Sequence, residues 1–348
     1  MKIGILTWYF GINYGARAHA LGLYHVLTDI GYECEFIQYN SSNTIKKDFY
    51  TSTAIEHRHK HPIQTFSGLI KMYKFAKQRQ QYPVSKKVKS AKEIDELGYD
   101  LIVLGSDEII NSNHTLYNDI YYGVGLKKTP YIMYAVSAGT VDPSSNLSNE
   151  VKDALNKCKK ISVRDHNTAN LIENNIGVHP QIVLDPTLLC EYKNAGKRRI
   201  TAQYLLIYSF GFLNKYKEQI IKLAKSKNLK IVCVGRACPW ADYSFLTADL
   251  NEWLNYYYYA AYIVTDSYHG YIFALKNHKN YILIAKEDKT NKIDGLLELS
   301  EANKRYLKAE DDIFEYADIQ VNFSIVDRNI SSLKNQAICF LKDAMQVQ

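Results

Sequence analysis

The sequence predicts an α/β protein of two Rossmann-like, doubly wound domains facing one another across a cleft. Three observations predict it. Short aliphatic strands alternate with amphipathic helices from the first residues onward. Small polar segments follow the strands. A polar, basic break at Cys190–Thr201 divides the alternation into two runs. The first run opens with strand Lys2–Trp8, loop Tyr9–Gly15, helix Ala16–Ile30 stopped by Gly31, and strand Tyr32–Tyr39. It resumes with strands Leu101–Leu104 and Tyr131–Val136, helix Leu147–Cys158, strand Ile161–Val163, helix Asn167–Asn175 and strand Gln181–Leu184. The second run has strand Tyr204–Ser209, helix Lys215–Lys227, strand Lys230–Val234, helix Leu250–Ala261 and strand Tyr262–Thr265. A helix carrying His269, strand Tyr281–Ile284, helix Ile293–Leu299 and a final helix over Ile330–Met345 follow. The expected domains are therefore 1–192, with a basic helical insert over about 41–98, and 200–325. The final segment 326–348 is a candidate to pack back on the first domain.

Composition narrows the class. The chain has 348 residues, 47% hydrophobic and 23% charged, enough apolar content for two cores and too much for a disordered chain. No apolar run is long enough to span a bilayer, and the short run after Met1 lacks the features of a signal peptide. The six cysteines are scattered without a CxxC pair, as expected of small buried hydrophobes in a reducing compartment, so the cytoplasm is the expected location. Net charge is +7, and no acidic residue occurs from His57 to Lys92. Within that stretch Ile63, Phe66, Ile70 and Tyr73 follow helical spacing. Such a helix ordinarily packs its stripe on its own domain; the alternative is to rest peripherally on an anionic membrane surface. No nucleic-acid-binding motif accompanies the charge. His57, His59 and His61 lack cysteine or carboxylate partners, so no metal site is expected.

Chemistry is expected where parallel strands end. Thr265-Asp266-Ser267-Tyr268-His269-Gly270 turns from a strand into a helix, placing an imidazole beside free helix N–H groups suited to an anion. Gly105-Ser106-Asp107-Glu108 offers a hydroxyl and a carboxylate, with Asp107 as acceptor or base, or as a turn cap. Arg164 carries a fork suited to carboxylate or phosphate, or to a structural ion pair. Gly11 and Gly15 flank a turn whose amides could cradle an anion; the segment is not GxGxxG, so a dinucleotide is not expected.

Taken in order, six of these segments resemble the polysaccharide pyruvyl transferase family. They are Asn13-Tyr14-Gly15-Ala16, Tyr99-Asp100 to Gly105-Ser106-Asp107, Tyr134-Ala135-Val136-Ser137-Ala138-Gly139, Ser162–Asp165, Asp185–Leu189 and Thr265–Gly270. The chain departs from the family pattern at Glu108 and Ile110, at Ser267 where some relatives have Arg, and at Lys292 where Arg is common, although Arg305 fits. The resemblance implies a GT-B-like fold and transfer of a pyruvyl group from phosphoenolpyruvate, as co-substrate, to two hydroxyls of a sugar. It implies catalytic roles for His269, Arg164 and Asp107. Donor contacts would come from Ser267, Gly270, Arg164, Lys292 and Arg305, and acceptor contacts from Asn13, Tyr14, Gly15, Ser106 and Glu108. No other cofactor is implied, and the acceptor would be a polysaccharide precursor, such as an undecaprenyl-diphosphate-linked hexose at the inner leaflet. The rival expectations are a GT-B glycosyltransferase using a nucleotide sugar and a non-catalytic sugar-binding protein.

Overall fold

The computed structural model describes residues 1–53, 62–192, 196–284, 296, 306–307 and 312–346. They form two compact units. Unit 1 comprises Met1–Asp48, Ala76–Glu191 and the chain from Ile330 onward. Its strands are β1 (Lys2–Leu6), β2 (Glu33–Tyr39), β3 (Val84–Val88), β4 (Leu101–Leu104), β5 (Tyr131–Val136), β6 (Ile161–Val163) and β7 (Gln181–Ile182). They lie in the order β3-β2-β1-β4-β5-β6-β7, with every pairing parallel. Every residue of β4 and β5 is buried. Strands covered on both faces read as continuous apolar runs, which is why both are plain in the sequence.

Helix α1 (Tyr14–Asp29) follows β1. The Asn13 side chain accepts the Ala16 N–H at its start, and Gly31, at φ 108°, follows its end. Helices α2 (Ser41–Thr53) and α3 (Pro62–Arg79) come next, then α4 (Ala91–Asp95) and α5 (Asn149–Lys157), capped by Ser90 and Ser148. Asp165 caps α6 (His166–Ile176), and Asp185 caps the single turn α7 (Pro186–Leu189). One irregularity matters for the site. Ala135 has φ 49° and the β5–β6 register shifts between Met133 and Val136. Ser162 Oγ patches this bulge, accepting the Ala135 N–H at 3.3 Å and donating to the Met133 carbonyl at 3.1 Å.

Unit 2 comprises Phe49–Phe75 and Tyr192–Asn329. Its strands are β8 (Tyr204–Tyr208), β9 (Lys230–Val234), β10 (Tyr243–Phe245), β11 (Tyr262–Thr265), β12 (Asn280–Ile284) and β13 (Tyr306–Leu307), in the all-parallel order β10-β9-β8-β11-β12-β13. Helices α8 (Lys217–Ser226), α9 (Leu250–Tyr259), α10 (Tyr268–Lys276) and α11 (Ile313–Ala317) accompany them. Asp249 and Glu252 close a reciprocal capping box on α9. The helix expected over Ile293–Leu299 falls outside the described residues except for Leu296. Both units are thus doubly wound, the class expected. In each, strand order reverses at one place, between β1 and β4 and between β8 and β11, where α/β sheets of this kind seat ligands.

Two boundaries differ from the sequence reading. The stretch 41–98 is not one helical insert of the first domain, since Phe49–Phe75 belongs to unit 2. The reason lies in its contacts. A Cβ on Gly68 would lie 2.5 Å from the Ser52 carbonyl oxygen, so these two helical segments pack backbone to backbone. Lys74 Nζ bridges both oxygens of Glu252 at 2.9 and 2.8 Å, and Phe75 is fully buried. The same stretch also supplies β3, whose Val-Ser-Lys-Lys-Val sequence is that of a charged edge strand. The last helix, α12 (Phe323–Gln346), starts earlier than expected. From Ile330 it belongs to unit 1, burying Ala337, Leu341 and Ala344 and setting the Phe340 ring 6.1 Å from that of Tyr134. The cysteines also divide: Cys34, Cys190, Cys233 and Cys238 are buried as expected, whereas Cys339 is exposed. No helix among the described residues is long and apolar enough to cross a membrane.

Candidate functional site

In unit 1 the reversal between β1 and β4 gathers a network of charged side chains. After β4 the chain turns through Gly105, at φ 132°, a cis peptide to Ser106, and Asp107, at φ 76°. A side chain at Gly105 would strike the Tyr134 carbonyl, so only glycine serves there. The Gly105 N–H donates to Leu6 O at 3.1 Å and the Ser137 N–H donates to Asp107 O at 2.9 Å, fixing the turn to strands on both sides. A left-handed aspartate is uncommon, and here it stands just beyond the carboxyl end of β4.

The turn presents Asp107 to two partners. His19 Nε2 stands 3.2 Å from Asp107 Oδ2, and Arg164 Nη2 stands 3.0 Å from Oδ1. His19 is fully buried on α1, and its Nδ1 lies 3.1 Å from Ser106 Oγ, which is also fully buried. The second terminal nitrogen of Arg164 pairs with Asp185 Oδ2 at 3.0 Å. Asp185 is fully buried, and its other oxygen accepts the Thr187 N–H at 2.9 Å and hydroxyl at 2.6 Å. Glu108 Oε1 lies 3.8 Å from Arg164 Nη2, and Glu108 Oε2 accepts from Asn111 Nδ2 at 2.9 Å. Only 13% of the Asp107 side chain remains exposed, against 2% for Arg164. The guanidinium is therefore committed to carboxylates at both ends. Its Nη2 holds Asp107 by an ion pair. Asp165, next to Arg164 in the chain, caps α6 through the Thr168 N–H and hydroxyl.

The loop ahead of α1 is built by arginine. Arg17 donates to Gly11 O at 3.0 Å, and its guanidinium lies 4.4 Å from the Tyr9 ring centre, which stacks on Phe36 at 3.7 Å. Burial lowers the Arg17 pKa to about 10 and raises that of Tyr9 to about 12. Arg79 donates to Phe10 O at 2.7 Å. The amide of Ile12, expected to be available to an anion, is taken by Asp48 Oδ2 at 2.9 Å. Of the acceptor candidates here, Asn13 is the exposed α1 cap, while Tyr14 and Gly15 are buried in its first turn.

The second reversal lies between β8 and β11. Asp266 accepts the Ser209 hydroxyl at 2.6 Å and the Phe210 N–H at 3.1 Å, tying the two strand ends together. Thr265 Oγ1 donates to Tyr208 O at 2.7 Å. Ser267 caps α10 through the Gly270 N–H, and Gly270 fits closely against Thr265 and the Tyr257 hydroxyl. His269 lies in the first helical turn, 8% exposed, with Nε2 shielded from solvent. Close by, Gly211 N–H donates to Ser209 Oγ at 3.0 Å, and a Cβ on Gly211 would sit 2.6 Å from Nη1 of Arg236. Glycine there lets the exposed Arg236 lie against the β8 end; among the described residues it has no ion-pair partner. Lys292 and Arg305, two of the donor candidates, fall outside the described residues.

The structure thus brings Ser106, Asp107, Glu108 and Arg164 together in unit 1, and Ser267, His269 and Gly270 together in unit 2. It adds His19, Asp185, Asp266 and Arg236, which the sequence reading does not assign. The pattern characteristic of polysaccharide pyruvyl transferases matches residues 13–287. The chain belongs to the polysaccharide pyruvyl transferase family. Among curated protein sequences there is no match. Among solved structures, this pyruvyl transferase family member is similar to a putative UDP-N-acetylglucosamine 2-epimerase from Listeria monocytogenes. That likeness covers 100% of this chain and 97% of the other at 10% identity, with a TM-score of 0.58. A UDP-GlcNAc 2-epimerase from Methanocaldococcus jannaschii is similar over 96% of this chain and 93% of its own, at 12% identity and a TM-score of 0.51. At these identities the likeness is one of fold.

Proposed function

We propose that the protein transfers the pyruvyl group of phosphoenolpyruvate to two hydroxyls of one sugar, giving a cyclic ketal and inorganic phosphate. The methylene carbon of the donor takes a proton, so that C2 becomes oxocarbenium-like. One sugar hydroxyl adds to C2 and loses its proton, and the C2–O bond to phosphate breaks. The second hydroxyl then adds and loses its proton, closing the ring. Such a sequence needs a positioned base for a hydroxyl, a proton donor, and positive groups for a carboxylate and a phosphate.

The observation that carries this reading, beside the family, is the Asp107 carboxylate, held at one oxygen by Arg164 and at the other by His19 while keeping an exposed edge. In this reading Asp107 receives the proton of the sugar hydroxyl, with His19 and Arg164 as positioning residues. His269 and Ser267, at the start of α10, serve the donor's phosphoryl group, and His269 moves a proton there. Arg236, which has no ion-pair partner among the described residues, supplies a cation for the donor, and Lys292 and Arg305 are further donor contacts. Asn13, Tyr14, Gly15 and Glu108 shape the acceptor side, where the proposed acceptor is a lipid-linked hexose of polysaccharide synthesis. The reading invokes no metal or further cofactor.

The test incubates the full chain with phosphoenolpyruvate and a panel of aryl and lipid-linked hexoses, following phosphate release and the sugar's mass. Gain of one pyruvyl unit matched by phosphate is expected, and His269→Ala should lower the rate by about 100-fold or more. Transfer of a glycosyl group from a nucleotide sugar, or phosphate release unchanged in His269→Ala, overturns the assignment.

A further inference from the structure

Helix α3 is oriented opposite to an ordinary surface helix. Its buried positions are Gly68, packed on the Ser52–Thr53 backbone, and Phe75, with Lys74 tied to Glu252, the capping-box residue of α9. The apolar stripe lies on the other face. Ile63, Phe66, Leu69 and Tyr73 are 77, 66, 43 and 67% exposed, and exposed Lys77 continues the row. Their spacing of three, three, four and four residues places them along one side of the helix. An amphipathic helix of a globular protein turns such a stripe to its core, and a run of large apolar side chains facing water marks an interaction surface. Of the stripe expected to pack on its own domain, Ile63, Phe66 and Tyr73 are instead exposed and only Ile70 is half-buried.

We infer that this face of α3 docks on an anionic lipid bilayer, with Phe66, Leu69 and Tyr73 entering the interface and Lys77 meeting headgroups. Charge selects the occupant. The helix holds Lys71, Lys74, Lys77 and Arg79 with no acidic residue, and none occurs anywhere from His57 to Lys92. A second copy of the chain would bring this acid-free segment against itself, which like-charge repulsion opposes. A phospholipid surface supplies both an apolar layer and negative charge to a helix lying in its plane. The inference rests on exposure and charge, and holds whatever reaction the protein catalyses.

Sedimentation of the full-length protein with extruded vesicles tests it. Binding to phosphatidylglycerol-containing vesicles is expected to exceed binding to pure phosphatidylcholine by about tenfold, and to fall steeply in 0.5 M salt, where the screening length is about 4 Å. Phe66→Ser/Tyr73→Ser should lower the partition coefficient by about tenfold or more with an unchanged circular dichroism spectrum and Tm, because both side chains are exposed. Wild-type protein that ignores lipid charge overturns the inference, as does a double variant that binds like wild type. So does a dimer in solution that the double substitution dissolves.

Discussion

Arg164→Met removes the centre of the unit 1 network while keeping most of the side chain's volume. Arg164 holds two carboxylates at 3.0 Å, and the consequences for them differ. Asp107 keeps an exposed edge and His19, so water replaces part of its loss. Asp185 is fully buried; its Oδ1 keeps the Thr187 N–H and hydroxyl, but Oδ2 loses the guanidinium. Breaking a buried pair by deleting one partner costs about 3–5 kcal/mol. That is a large fraction of the roughly 5–15 kcal/mol that keeps a domain folded. For a unit of this size it corresponds to a fall in Tm of about 6–20 °C. The assay is thermal and urea unfolding of the full chain, comparing Arg164→Met with Arg164→Met/Asp185→Asn. Asparagine keeps the α7 cap without the orphaned charge, so the double variant should regain more than half of the loss. A single variant less than about 1 kcal/mol below wild type, or a double variant no better than the single, refutes the claim that Arg164 chiefly neutralises buried carboxylates.

Other outcomes follow from named contacts. His19→Ala should lower kcat by about tenfold to hundredfold at unchanged KM for phosphoenolpyruvate, and His19→Gln, which restores a hydrogen-bonding group, should recover part of it. Steady-state rates with both substrates varied would expose a KM effect instead, placing His19 on the donor. Asp95 gives a pH prediction. Burial alone would raise its pKa, but the N–H groups of Lys127, Thr129 and Lys128 outweigh it, at 2.9, 3.0 and 3.2 Å, and hold it below the ordinary value. A carboxylate depressed in the folded state stabilises the protein above its ordinary pKa, near pH 4, and that contribution disappears as pH falls through the lower folded value. Asp95→Asn should therefore be less stable than wild type at pH 6, with the gap in Tm closing as pH falls below about 4.

The strands that make the two cores were legible because each is a short, continuous apolar run, as in Leu101–Leu104 and Tyr131–Val136. The edge strands Val84–Val88 and Tyr243–Phe245 were not, since charged or exposed side chains interrupt them. The site was half legible. Gly105, Ser106 and Asp107 stand out as a small polar cluster ending a strand. The partners of Arg164 do not, because they lie 57 and 21 residues away along the chain and only strand order brings them near. His19 left a signal that could have been used: a single imidazole among Ala16, Ala18 and Ala20 on the helix after the first strand. Asp266 lies inside the motif that turns β11 into α10, and nothing local to it marks the acceptor that joins β8 to β11.

The path of the backbone between the units limits how the protein can be dissected. The chain passes from one to the other after Asp48, Phe75, Glu191 and Asn329, so no single cut yields an intact half. A fragment ending at Tyr192 would drag Phe49–Phe75 along without Glu252 to anchor Lys74. It would also lack the Leu341 side of the last helix, leaving Tyr134's neighbourhood uncovered. Excision of either half must therefore splice separate stretches of chain, and swapping halves with a relative exchanges three segments for two.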